Sequence, residues 1–288
     1  MGPLLRAERF ALVGDHYQLP PLARSEEARR KGYDVSLFKR LSAAHPVAVA
    51  RLSQQYRMNR DIQLLSNALV YNFQLRCASQ EVADACLSIP RLDRALETSV
   101  GRWGGSARRV FAPSARVVFA DTDKIGRSCE RREKKGYTNE VEARVVAKVV
   151  HAMVTGGVSQ SQIGIISPYR LQLETLREML RDEASSLTSS DAKATTTTTG
   201  VMVETVDKFQ GLDKDCILIS LVRSNLTAEV GRLLRDWRRI NVAVTRAKKK
   251  LILVGSFRTL RNAHLLGSCL ELIKARRWVV SLPKNALR

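Results

Sequence analysis

Short apolar runs broken by polar blocks set the pattern of this chain. Ile163-Gly164-Ile165-Ile166, Cys216–Val222 and Leu251–Val254 are near-continuous apolar stretches; Val201–Val203 and Ala115–Asp121 are similar. Such runs predict strands of a parallel sheet buried on both faces. Between them, apolar residues recur at helical spacing. Val141, Val145, Val149 and Met153 predict a helix closed by Gly156-Gly157; Leu173, Leu176 and Leu180 line one over 171–181. Further helices are expected over 62–75 and 241–250. Strand–helix alternation predicts a doubly wound α/β domain, its parallel sheet covered by helices.

Elsewhere the pattern is less regular. Phe10-Ala11-Leu12-Val13, stopping at Gly14-Asp15, predicts a buried strand, and 47–53 another. Between 88 and 112 the periodicity dissolves around Trp103-Gly104-Gly105, which predicts a linker or insertion. Charge-rich 123–138 is expected as loop, and Ser/Thr-rich 185–199 as a disordered surface loop.

Charge changes the picture. With 48 Lys and Arg against 28 Asp and Glu, the net charge is 48 − 28 = +20. That exceeds what solubility asks for and points to a polyanionic partner. The five cysteines (Cys77, Cys86, Cys129, Cys216, Cys269) form no C-x-x-C pair. Zinc-ribbon and clustered iron–sulfur spacings are therefore absent, no metal site is expected, and the odd count fits a reducing compartment. No apolar run approaches the ~18 residues of a membrane span. Early charges at Arg6, Glu8 and Arg9 argue against a signal peptide. An intracellular protein without a membrane partner is expected.

Four polar blocks beside apolar runs carry the candidate chemistry: Gly14–Pro21 (GDHYQLPP), Gln55–Asn59 (QYRMN), Glu204–Gly211 (ETVDKFQG) and Asn241–Lys248 (NVAVTRAK). Gln18 donates and accepts, so it can sense a terminal phosphate. Asp15 can hold a metal-bound water or orient a neighbour. The block also reads as a plain β-turn. Gln55-Tyr56-Arg57 sets a ring for base stacking beside a guanidinium that forks onto phosphate, although a surface Tyr-Arg pair looks the same. Arg246, ahead of a strand, fits arginine-finger logic. Lys248-Lys249-Lys250 reads as a solvated basic turn. Gly211 permits close approach, and Asp213 can accept from a ribose hydroxyl. Thr205, Ser167, Tyr169, Arg223 and Ser224 end strands with hydroxyls and an arginine. Such groups track a phosphate backbone without reading its sequence.

In this order the blocks resemble the later motifs of superfamily 1 RecA-like helicases. Gly14–Pro21 resembles motif III, Gln55–Asn59 the Q-Y-R-M motif, Glu204–Gly211 motif V and Asn241–Lys248 motif VI. The wording of Q-Y-R-M and V-D-K-F-Q-G points to the branch moving 5′ to 3′. Within it, 29–41 and 65–69 are most similar to the replication helicase–nucleases that process Okazaki flaps. The resemblance implies an ATP-dependent DNA helicase. Gln18, Arg57 and Arg246 would meet the γ-phosphate, Tyr56 the adenine and Asp213 the ribose. The implied fold is RecA-like P-loop NTPase: 1–87 the end of the first lobe, 88–112 a linker or insertion, 113–288 the second lobe.

The departures are as specific. The chain contains no G-x-x-x-x-G-K-[ST] and no helicase-type Asp-Glu pair, so an incomplete motor is expected. The Mg²⁺ ligands that serve ATP, a nuclease domain and any iron–sulfur cluster would lie in missing segments. Single-stranded or flap DNA is the implied partner, in the nucleus, with a mitochondrial pool equally compatible. An RNA helicase of the same branch, or a non-catalytic nucleic-acid-binding module, are the alternatives.

Overall fold

The computed structural model describes residues 6–126, 129–185 and 200–288. It separates into two compact units, Met1–Leu52 and Ser53–Arg288. The first unit holds two short helices, α1 (Glu26–Arg30) and α2 (Leu37–Ala44), each opened by a serine side chain accepting from a first-turn amide. The expected strand at Phe10–Val13 is absent, and Val13 is 94% exposed. No strand forms over 47–53 either; Pro46–Ala48 is a 3₁₀ turn. Among the described residues this unit has no strand to complete a ladder with either run.

The second unit is an α/β domain. It begins with β1 (Gln54–Gln55), α3 (Arg60–Ser66), β2 (Arg76–Cys77), α4 (Gln80–Asp84), α5 (Leu92–Glu97), α6 (Gly105–Phe111) and β3 (Val117–Asp121). A hairpin β4 (Arg131–Glu133) and β5 (Gly136–Thr138) follows, then α7 (Glu140–Thr155), β6 (Ile163–Ser167), α8 (Arg170–Ser185) and β7 (Met202–Thr205). The rest is α9 (Val206–Phe209), β8 (Lys214–Ser220), α10 (Arg232–Arg235), α11 (Trp237–Val244), β9 (Ala247–Gly255), α12 (Phe257–Leu260), α13 (His264–Ala275) and β10 (Val279–Ser281).

Six strands form one parallel sheet in the order β10-β3-β9-β8-β6-β7. Its central strands are buried at nearly every position, as the continuous apolar runs require. Helix α7 starts at Asn139, whose side chain accepts from the Glu142 amide, and ends at Gly156. It buries Val145, Val146, Val149, Val150 and Met153. At Gly164 in β6, a Cβ would sit 2.7 Å from the Phe209 ring, so only glycine lets α9 lie this close.

Several expectations change here. Residues 88–112 are no linker: Val100, Trp103, Val110 and Phe111 share the core with Ala143–Met153. Their helices also cover the edge of β10. Arg109 Nη2 donates to the carbonyl of Val279 at 2.9 Å, and Ser106 Oγ to that of Ser281 at 3.1 Å. The chain therefore divides at 52/53, not near 87. The expected loop 123–138 contains the β4–β5 hairpin. The helix over 62–75 becomes α3 plus a π turn, Asn67–Tyr71, stopped by left-handed Asn72 and Phe73. The helix over 241–250 ends at Val244 and the chain turns into β9. The Ser/Thr-rich segment lies outside the described residues after Ser185.

Candidate functional site

Two groups of polar residues mark opposite ends of the sheet, both within the second unit. The first gathers where β8 and β9 begin. Gln55 organises its loop: Oε1 accepts from the amides of Arg57 (2.9 Å) and Met58 (2.7 Å), and Nε2 donates to the Met58 carbonyl and to Gln63. Its amide is thus committed internally. The tight loop turns Tyr56 outward, 76% exposed, and sends Arg57 toward β8. Asn59, fully buried, anchors the loop to β9. Its amide donates to the Lys248 carbonyl and its Nδ2 to that of Lys249, while Oδ1 caps α3 at Ile62.

Arg57 Nε donates to Asp213 Oδ2 at 3.1 Å, and Nη1 to the Thr245 carbonyl at 3.3 Å. Lys248 Nζ lies 2.6 Å from Asp213 Oδ1. One carboxylate thus binds two cations. Burial alone would raise the Asp213 pKa, but Lys248 and then Arg57 hold it below the usual carboxylate range. Arg246 is 2% exposed. Its Nε donates to the Val242 carbonyl, Nη1 to that of Leu212 and Nη2 to Thr245 Oγ1. No carboxylate of a described residue lies within 4.0 Å of its guanidinium. Burial, then the charge of Arg57, pull its pKa down to about 10, still protonated at neutral pH. Two cations therefore share one carboxylate, with a third, Arg246, buried near them, beside an exposed ring. Gly211, at φ +88°, lets the chain turn from α9 into this corner without steric cost.

Lys248 belongs to this cluster and not to a solvated turn. Period two carries the signal: in extended chain, residues 246, 248 and 250 share a face. Lys249, of opposite parity, pairs with Asp215 instead. Lys250 is buried, its Nζ donating to the carbonyls of Ala112 and Ala115. Asp213 meets cations here rather than standing free for a ribose.

The second group lies where β6, β7 and β8 end, and most of it faces inward. Ser167 is fully buried and donates to the Ser220 carbonyl; Tyr169 is 7% exposed. Arg223 is 3% exposed, with Nε and Nη2 on Glu130 and its guanidinium 4.2 Å from the Tyr137 ring centre. Ser224 is buried, its amide donating to Glu130. Only Thr205, half-buried at the end of β7, keeps an accessible side of the five expected phosphate trackers. Glu130 gave no signal within its charge-rich segment.

A buried network props this end. Val222, a β-branched residue, sits at φ +70°. Its amide donates to Glu142 Oε2 at 2.7 Å and its carbonyl accepts from Asn139 Nδ2 at 2.8 Å. The cost of such a conformation is held by surrounding contacts. Burial pushes the Glu142 carboxyl up to about 8, against the lowering effect of the Val222 amide and the Ser220 hydroxyl. Folding therefore takes up a proton between pH 4.5 and 8. The group's contribution is complete below that window and is lost as pH rises through about 8. Lys250, lowered to about 8 by burial, acts with opposite sign above that value. We expect the melting temperature to fall from pH 6 to 8 less steeply in Glu142→Gln than in the parent; parallel curves in differential scanning fluorimetry would refute the assignment.

In the first unit, Asp15 Oδ1 accepts from the Tyr17 amide at 2.9 Å and Oδ2 from Gln18 Nε2 at 3.1 Å. The two expected site residues thus meet in a closed turn. Among the described residues no group of three or more His, Cys, Asp or Glu is arranged for a metal, and no helix is long and apolar enough to cross a membrane.

The six-stranded parallel sheet covered by helices is an α/β domain of RecA-like fold. The chain belongs to the AAA domain family, whose sequence pattern matches residues 33–258. It is 45% identical over 290 residues to the DNA replication ATP-dependent helicase/nuclease JHS1 of Arabidopsis thaliana, covering all of this chain and 20% of that protein. It is 42% identical to the DNA replication ATP-dependent helicase/nuclease DNA2 of Xenopus laevis, covering 99% and 26%. Against the protein of that name from Saccharomyces cerevisiae, identity is 38%, covering 100% and 18%. The chain thus spans about a fifth to a quarter of these relatives.

Proposed function

We propose that this chain supplies the phosphate-sensing and DNA-tracking part of an ATP-dependent DNA helicase moving 5′ to 3′, within a replication or repair helicase–nuclease. The carrying observation is the cluster at the start of β8 and β9. Arg57 and Lys248 hold one carboxylate, and buried Arg246 near them has none within 4.0 Å among the described residues. A buried, poorly compensated guanidinium is costly unless an anion meets it. A nucleoside triphosphate brings that charge, and exposed Tyr56 offers its base a stacking face.

In this reading Ser53–Arg288 is the second RecA-like lobe and Met1–Leu52 the end of the first. Gln18 keeps its sensing role on motif resemblance alone, and Thr205 is the strand-facing hydroxyl. The cluster fits ATP phosphates and does not fit Mg²⁺, because Asp213 is already held by two cations. ATP binding supplies the energy for translocation; these residues bind and orient its phosphates. Single-stranded or flap DNA is the substrate, and the nucleus the place of action.

The test joins the chain to a Walker-containing first lobe from one of its relatives. Tyr56→Ala should raise KM for ATP about tenfold, from lost stacking, with kcat within about twofold. An unchanged KM would remove Tyr56 from the site.

A further inference from the structure

Net charge of +20 is not spent at the two sites described. A separate concentration of cations lies at the amino end of β10, the edge strand farthest from β7. Helix α6 closes with Arg108 and Arg109, and α13 runs out through Lys274, Arg276 and Arg277. The two helix ends meet, because Arg109 Nη2 donates to the carbonyls of Arg277 (3.2 Å) and Val279 (2.9 Å). All five side chains belong to exposed residues. No carboxylate of a described residue lies within 4.0 Å of any of them, whereas Arg116 at the start of neighbouring β3 reaches Asp61 and Asp84.

A cation at a helix C-terminus complements the backbone dipole. That accounts for one at each helix end, and Arg109 is further used to cover the strand edge. It does not account for five cations without a carboxylate around two meeting helix ends. Among the described residues the exposed large rings (Phe10, Tyr33, Tyr56, Phe73) lie elsewhere in the sequence, and the ring beside this surface, Trp278, is half-buried. A single strand is held by stacking as well as charge. A surface of guanidinium forks without an exposed ring instead suits phosphates already displayed on a regular duplex.

We infer that the amino end of β10, with the closing turns of α6 and α13, docks the phosphate backbone of duplex nucleic acid. The contact is independent of sequence, and separate from Thr205 at the carboxyl end of β7. It would hold the duplex while another part of the protein handles the single strand.

The test uses the whole chain and the triple variant Arg108→Glu/Arg276→Glu/Arg277→Glu, sparing Arg109 because it covers the strand edge. Fluorescence anisotropy follows a labelled blunt duplex of about 20 base pairs and a single strand of the same length across a salt series. The duplex Kd should rise at least about tenfold, and its log–log salt slope should shrink by about 2.7, or 0.9 for each lost phosphate contact. The single-strand Kd should move by less than about twofold, since stacking sites elsewhere are untouched. Unchanged duplex binding, equal losses on both substrates, or no duplex binding by the parent chain would each overturn the inference. So would an unchanged duplex Kd with lost binding of polyglutamate, which would assign the surface to an acidic protein. Should charge reversal unfold the chain, the triple glutamine variant decides on the same duplex criteria.

Discussion

Replacing Arg246 with alanine should lower the kcat of DNA-stimulated ATP hydrolysis by ~10³ or more, in a protein that carries this chain together with a phosphate-binding first lobe. The guanidinium is the most buried cation of its cluster and lies between the carbonyls of Leu212 and Val242. Those contacts fix its orientation before any phosphate arrives, so little reorganisation remains at the moment of reaction. KM for ATP should change far less than kcat, because charge on the transferring phosphoryl group grows toward the transition state. Arg246→Lys should not restore turnover, since a point charge lacks the planar fork. The alanine variant also strands acceptors in the interior, at a cost of about 1–3 kcal/mol. Melting temperature is therefore measured beside turnover: a destabilised but fully active protein would reduce Arg246 to a structural role.

The fold is most legible in the sequence where one local pattern decides the answer. The near-continuous apolar runs of β6, β8 and β9 and the valine stripe of α7 were legible because burial on both faces, or on one helical face, leaves a simple period. The cluster was legible in part. Arg57 and Arg246 come together because Asn59 ties the Gln55–Asn59 block to the end of the Asn241–Lys248 block through the backbone of Lys248 and Lys249. Gln55, Ser167, Arg223 and Ser224 could not be placed the same way. A polar side chain that braces a turn and one that meets a ligand have the same composition, and only the fold shows that Glu130 neutralises Arg223. Phe10–Val13 failed for a related reason, since an apolar run becomes a strand only where another strand completes its ladder.

The segment 88–112 carries the largest expected effect on stability. Its glycines and arginines suggest a linker, and a substitution in a linker stays within about 0.5 kcal/mol of neutral. In the structure, Gly104 (φ +56°) lets the chain pass from a 3₁₀ turn, Ser99–Trp103, into α6. Trp103 thereby enters the core at 3% exposure, and its Nε1 donates to the carbonyl of Ala286 at 3.0 Å. This ring pins the segment after β10 to the helices that cover the edge of the sheet. Trp103→Ala should cost about 3–5 kcal/mol, through the cavity and the orphaned carbonyl together. For a domain of this size the melting temperature should fall by roughly 6–20 °C. Trp103→Phe keeps most of the volume and loses the donor, so its loss should be clearly smaller. A melting temperature unmoved by Trp103→Ala would return the segment to the role of a linker.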